Sequence, residues 1–254
     1  MPVPCRGAIT ADCVPYDGAN IMANGILENP AQLSPQLAEL FPAGVITVEL
    51  TVEAPRSVLT EDEIESITHC AKKRIDDFTR GRACARRGLG QLGIDGFSLL
   101  SGEKREPLWP AGIVGSITHT TGFAAAVVAR RAQVQALGID CEVIESVGQD
   151  LWERICTPQE RERLGQLPEP QAQRQAALIF AAKEAFYKCQ FPLSREWVGF
   201  EDVSIEVHDD GTLRIIPEVR LPVAVEWVAA LKSAYQYRGQ WAVTGVTAIN
   251  CSRL

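Results

Sequence analysis

Phe180-Ala181-Ala182-Lys183-Glu184-Ala185-Phe186-Tyr187-Lys188 sets three charges inside an otherwise apolar run. Glu184 and Lys188 are four residues apart, so on a helix they share one face. An isolated Glu and Lys at that spacing form a plain surface ion pair. Here Ala181, Ala182, Ala185, Phe186 and Tyr187 leave little polar surface to carry one. Charges sunk into an apolar helix need a partner or a ligand. Extended back to about Gln171 and stopped before Pro192, the run predicts a long helix, with Pro168 and Pro170 as the breaker before it.

Gly138-Ile139-Asp140-Cys141-Glu142 is the second decisive stretch. It continues Val134-Gln135-Ala136-Leu137, which reads as a strand. Alternate residues of a strand point to one face, so Asp140 and Glu142 project together while Cys141 faces away. Adjacent carboxylates repel, and a hard cation is the simplest remedy. Mg²⁺ takes one or two carboxylates plus substrate phosphates. With Glu184 added, three oxygen donors and two nearby lysines make a set suited to a metal-bound diphosphate.

Together the two stretches resemble the signature of the 4′-phosphopantetheinyl transferases of the surfactin and enterobactin synthetase type, roughly G-[IV]-D-x-E followed by [FW]-x-x-K-E-[AS]-x-x-K. Trp109-Pro110 followed by Gly115-Ser116-Ile117-Thr118-His119 resembles that family's upstream W-P…S-[IVL]-[ST]-H block. The likeness covers roughly residues 70–205. It implies an α+β fold of two similar halves, related by a pseudo-twofold, with the active site at their interface. Residues 1–134 would form the coenzyme A-contacting half and 135–254 the metal-binding, catalytic half. The implied reaction moves the 4′-phosphopantetheine arm of coenzyme A onto a serine of an apo acyl or peptidyl carrier protein and releases adenosine 3′,5′-bisphosphate. Asp140, Glu142 and Glu184 would hold Mg²⁺, with Mn²⁺ as the alternative metal. Glu184 would take the serine proton, directly or through water, and Lys188, with Lys183, would neutralise charge at the leaving oxygen.

The nucleophile would then belong to the partner, which agrees with a sequence that has no G-x-S-x-G elbow and no Cys/His pair. The same carboxylates and lysines would also serve a Mg²⁺-dependent nucleotide phosphohydrolase. A coenzyme A- or carrier-binding protein without turnover is the non-enzymatic alternative.

The basic stretch Lys72-Lys73-Arg74, Arg80, Arg82, Arg86 and Arg87 reads either as a solvated helix face or as a phosphate site. Phe78 to Arg86 resembles the family's F-x-x-x-R-x-C-A-R-like stretch, which implies that Arg82 and Arg74 contact the coenzyme. Lys104, in the polar loop Ser101–Pro107, and Thr118 and His119 are implied coenzyme contacts too, as are Lys183 and Lys188. A lone His is otherwise a structural residue, and Lys104 otherwise part of a solvated turn.

The chain of 254 residues is long enough for a substantial core, and 46% hydrophobic residues is ordinary for a globular protein. The net charge of −7 argues against a nucleic-acid partner. No apolar run reaches the ~20 residues that span a bilayer. Met1 to Arg6 has no signal-peptide pattern. Eight cysteines with no C-x-x-C spacing read as reduced thiols. A cytoplasmic monomer is expected, with no membrane partner.

Residues 1–44 carry 6 of the 15 prolines and read as mostly irregular. Residues 45–53 alternate as a half-exposed strand. Thr60 and Glu63 form a capping box at the start of a helix that restarts near Gly81 and ends by Gly93. A short strand after Pro110, a buried strand over Phe123–Ala129, a short helix over Pro158–Leu167, a hairpin over Asp202–Val219 and a last strand over Trp241–Ile249 complete the expectation. His208 reads as a turn residue.

Overall fold

The computed structural model describes residues 29–250. The irregular reading of 1–44 is therefore answered only from Asn29 onward. There the chain forms a short strand β1 (Gln32–Leu33) and one helical turn α1 (Pro35–Ala38), capped by the Ser34 hydroxyl. Leu37 of that turn is fully buried.

β2 (Ile46–Leu50) follows, and then α2 (Glu61–Ser66) and α3 (Lys72–Gln91). The Thr60–Glu63 capping box forms as expected. The helix breaks between Ile67 and Ala71, not near Gly81. Gly81 lies inside α3, where a Cβ would come within 2.9 Å of Ile117. It is a close-approach glycine that seats α3 on the sheet. β3 (Ile113–Thr120) and β4 (Phe123–Arg130) form a hairpin, and the four strands order β1-β2-β4-β3, all antiparallel. Phe123 to Ala129 is buried throughout, as its unbroken apolar run requires of a central strand.

The second half starts with β5 (Val134–Val143), α4 (Gln149–Ile155), α5 (Pro158–Gly165) and α6 (Glu169–Ser194). It continues through the hairpin β6 (Val203–Val207) and β7 (Leu213–Pro217), α7 (Val225–Ala229), β8 (Lys232–Arg238) and β9 (Trp241–Ile249). α6 starts earlier than expected because Pro170 sits in its first turn, where no N–H is needed. It also runs through Pro192, only three residues from the Arg195 cap. β5-β9-β8 form one antiparallel sheet and β6-β7 a ribbon. α6 lies on β5 and β9. At Gly138 a Cβ would collide with the Ala185 carbonyl oxygen, so only glycine lets helix and strand touch there.

Each half thus builds one long helix, α3 or α6, against one antiparallel sheet, and the fold is α+β as expected. The halves meet edge to edge at β3 and β5. Ser116 Oγ accepts from the Ile139 N–H (3.1 Å) and Thr118 Oγ1 from the Cys141 N–H (3.1 Å). The constant offset means that the strands run parallel, joined by side-chain hydroxyls. A core shared by both halves backs this seam, including Leu37, Phe41, Phe123, Val127, Leu137 and Ile139. The polar face of β2 is not half-exposed. Thr47 is buried, and Glu49 is gripped by Arg238 of β8 through both carboxylate oxygens.

Candidate active site

A cleft of about 280 Å³ lies between the halves, walled by α3, the loop before β3, β3 itself, β5 and α6. The sequence-predicted residues Arg74, Arg82, Lys104, Thr118, His119, Asp140, Glu184 and Lys188 all line it.

At its floor, Lys188 Nζ donates to Asp140 Oδ1 (2.6 Å), and Thr118 Oγ1 donates to the same oxygen (3.0 Å). Asp140 Oδ2 is buried with no hydrogen-bond partner. A buried carboxylate oxygen left bare is costly, so it marks a place for a donor or a cation. Burial works against the charge on Lys188, but Asp140, and behind it Glu184 and Glu142, outweigh that and raise its pKa. Burial, then the charge of Asp140, raises the Glu184 carboxyl. The same two causes, in that order, push Glu142 up to about 8.

The expected three-carboxylate cage is not preassembled. Among the described residues no three Asp, Glu, His or Cys side chains are gathered to hold a metal by themselves. Lys188 and Thr118 occupy one oxygen of Asp140. Glu142 does not line the cleft, although it lies within electrostatic reach of Asp140, Lys188 and Glu184. Cys141 turns away into the shared core, as alternation predicts.

Two residues take other work than expected. Lys183 faces away from the cleft. Its Nζ donates to Glu160 Oε2 (2.6 Å) and to the carbonyls of Ile155 (2.9 Å) and Phe200 (2.7 Å), all three donors being spent in a fully buried knot. Lys183 and Lys188 are five residues apart, so a helix points them in different directions. The Thr118 hydroxyl is engaged with β5, which makes Thr118 a strut under Asp140.

The basic stretch is largely structural. Arg86 bonds Glu63 and the carbonyls of Val58 and Phe97. Arg80 holds Asp77. Arg82 is buried, stacks 4.2 Å from the Phe78 ring centre, and donates to the Leu99 carbonyl and Ser101 Oγ. Only its edge reaches the cleft. Arg74 is the freer cation, with no ion pair among the described residues. The His119 side chain is only 36% exposed, and its Nδ1 lies 3.8 Å from Asp77 Oδ2. Burial of the ring lowers its pKa against the pull of Asp77, with Lys188 and Arg74 adding to the lowering. Asp77, Arg105, Glu106, Trp109 and Tyr187 also line the cleft, and none of the five is among the site residues expected from the sequence. Asp77 was legible: it lies four residues after Lys73 and three before Arg80, on the face of α3 that carries Arg74.

The arrangement combines a basic upper wall with a carboxylate–lysine floor, and suits a ligand carrying several phosphates. Comparison with known proteins agrees. Residues 60–129 match the 4′-phosphopantetheinyl transferase N-terminal domain, and residues 136–244 match the 4′-phosphopantetheinyl transferase superfamily. The 4′-phosphopantetheinyl transferase PptT of Mycobacterium tuberculosis is 38% identical over 180 residues, 69% of this chain and 79% of that protein. The transferase Npt of Nocardia iowensis is 36% identical over 173 residues, covering 67% and 77%. The enterobactin synthase component D of Escherichia coli K12 is 37% identical over 124 residues, covering 48% and 57%. A crystal structure of a holo-(acyl-carrier-protein) synthase from Bacillus anthracis matches at 23% identity over 46% of this chain and 98% of that one, with a TM-score of 0.37.

Proposed function

The chain belongs to the 4′-phosphopantetheinyl transferase superfamily, and on that premise we infer how its own residues perform the transfer. The substrates are coenzyme A and a serine of an apo acyl or peptidyl carrier protein; the products are the holo-carrier and adenosine 3′,5′-bisphosphate. The observation that carries the reading is the Asp140–Lys188 pair at the floor of a cationic cleft, with Glu184 beside it.

Arg74, the edge of Arg82, Lys104 and His119 would bind the nucleotide phosphates, and a neutral His119 still has one N–H to donate. Lys188, held charged by Asp140, faces the diphosphate and stabilises the charge that grows as the bisphosphate departs. Glu184 is a carboxylate whose raised pKa makes it a better base than an ordinary glutamate, and it accepts the serine proton. Mg²⁺ fits the bare Asp140 Oδ2, with Glu142 and Glu184 as further oxygen donors. When bound, it would supply charge neutralisation on the diphosphate. Thr118 and Lys183 act on this chemistry only by holding Asp140 and α6 in place.

The test incubates the protein with Mg²⁺, coenzyme A and several apo-carrier proteins and looks by mass spectrometry for one phosphopantetheine arm on a carrier serine. Asp140→Asn and Glu184→Gln should abolish most of that gain while folding normally. Bisphosphate released without a carrier, and no carrier modified, would replace the transferase reading by hydrolysis.

A further inference from the structure

Among the described residues only two non-glycine residues adopt a left-handed backbone, Arg105 (φ 67°) and Arg195 (φ 59°). Such a backbone costs an L-residue free energy and persists only where its surroundings require it. Arg195 is the C-terminal cap of α6, a position where glycine is usual. One carboxylate ties the two segments together. Glu106, the neighbour of Arg105, accepts from Arg195 Nη1 at Oε1 (2.7 Å) and from the Lys104 N–H at Oε2 (3.0 Å). The turn is closed by two backbone bonds, from the Gly102 N–H to the Glu106 carbonyl (2.8 Å) and from the Arg105 N–H to the Gly102 carbonyl (2.9 Å). Its other end is pinned where Ser101 Oγ accepts from Arg82 (3.1 Å). Lys104 and Arg105 ride on this turn at the cleft wall.

We propose that Glu106 is a positioning residue for coenzyme A. It shapes the 101–107 turn and, through Arg195, latches it to the end of α6, so that Lys104 and Arg105 stand at the cleft only while the two halves are closed on each other. The latch spans 89 residues and joins the N-terminal half to the catalytic helix. It explains why an arginine occupies a cap that glycine would fill with less strain: its side chain is used. The inference deepens the transferase reading and rests on it.

The test is coenzyme A binding to the full chain by calorimetry at low ionic strength, beside the transfer rate at saturating coenzyme A. Arg195→Gly removes the latch and suits the left-handed cap, so the melting temperature should hold or rise. Affinity should fall by up to about fivefold, the upper end of what an exposed ion pair contributes, with the saturated rate unchanged. Glu106→Gln should weaken binding at least as much. In a Lys104→Ala/Arg105→Gly background, Glu106→Gln should cost nothing further, because the cations that it places are gone. Unchanged affinity in both single variants, or the full loss persisting in that background, would overturn the proposal. A wild-type chain that binds no coenzyme A would overturn the transferase reading itself, and this proposal with it.

Discussion

Two lysines five residues apart on one helix have opposite fates, and substitution should separate them. Lys183→Met strands Glu160 in a dry interior, which typically costs ~3–5 kcal/mol. We expect a large fall in melting temperature, partly recovered when Glu160 is also made apolar, and little specific effect on the coenzyme A KM of what remains folded. Lys188→Met leaves Asp140 without its cation, but Lys188 is 29% exposed where Lys183 is 1%, so the melting temperature should fall less than in Lys183→Met. Its kcat should fall more than coenzyme A affinity, because the Lys188 interaction grows in the transition state. Equal falls in stability for the two would mean that Lys188 is only a partner for Asp140. The sequence motif names both lysines and cannot distinguish them, because the distinction is made by Glu160, a residue of α5 outside the motif. The carboxylates Asp140 and Glu184 were legible, since strand alternation and helix spacing determine their faces locally.

Glu142 gives a pH prediction at the same scale. Its folded pKa of about 8 lies above the ordinary 4.5. The stability it contributes is therefore fully present below about pH 4.5 and lost as pH rises through 8. Metal-free protein should melt at progressively lower temperature from pH 5 to 8.5, and Glu142→Gln should flatten that slope. Because a ligating carboxylate must be deprotonated, Mg²⁺ affinity should climb over the same range. Calorimetry in buffers of different ionisation heat reads the released proton; a pH-independent Mg²⁺ affinity would remove Glu142 from the metal site.

Among the elements, the helix–strand contact of α6 on β5 is the one that aims the chemistry. Gly138→Ala puts a methyl group into the Ala185 carbonyl, one residue after Glu184. The helix must back away, so we expect a loss of stability of ~1–3 kcal/mol from overpacking and a fall in kcat out of proportion to it. Ala185→Gly would not compensate, since the clash is with backbone; full activity in Gly138→Ala would show that the distance of α6 is not critical. Strands with continuous or alternating apolar patterns were legible, β4, β9 and the β6–β7 hairpin within a residue or two. β8 and α7 were not read, because Lys232 to Arg238 mixes polar and aromatic residues without clean alternation and five residues are too few to display a helical period. The break before α3 was misplaced because Gly81 looks like an interruption in sequence, whereas in space it is where the helix comes closest to Ile117.

At the scale of the whole molecule, Glu49 and Arg238 fasten the halves with a second ion pair besides the latch at Glu106. Burial works against the Glu49 charge, but hydrogen bonds from Arg238 and Ser34 outweigh it and hold its pKa below the usual 4.5. The stability this contributes is present above about pH 4.5 and lost as pH falls through the lower folded value. Glu49→Gln should therefore melt lower at neutral pH, by ~1.5–3 kcal/mol for a charge-assisted pair, and show a shallower decline in acid than wild type; parallel acid declines would rule the pair out. Nothing in the sequence linked residues 49 and 238, and the seam of Ser116 and Thr118 with β5 was equally hidden, since hydroxyls at a strand edge carry no periodic signal. That seam has a consequence for how the chain behaves when divided. β3 and β5 are the outer strands of their sheets, and each shields the other's unpaired backbone. Severed at the short turn 131–133, the two fragments would each bare a sticky edge that recruits further copies, so either one made alone should aggregate or swap strands. Made together, they should recombine into a single soluble particle, because each edge strand covers the other.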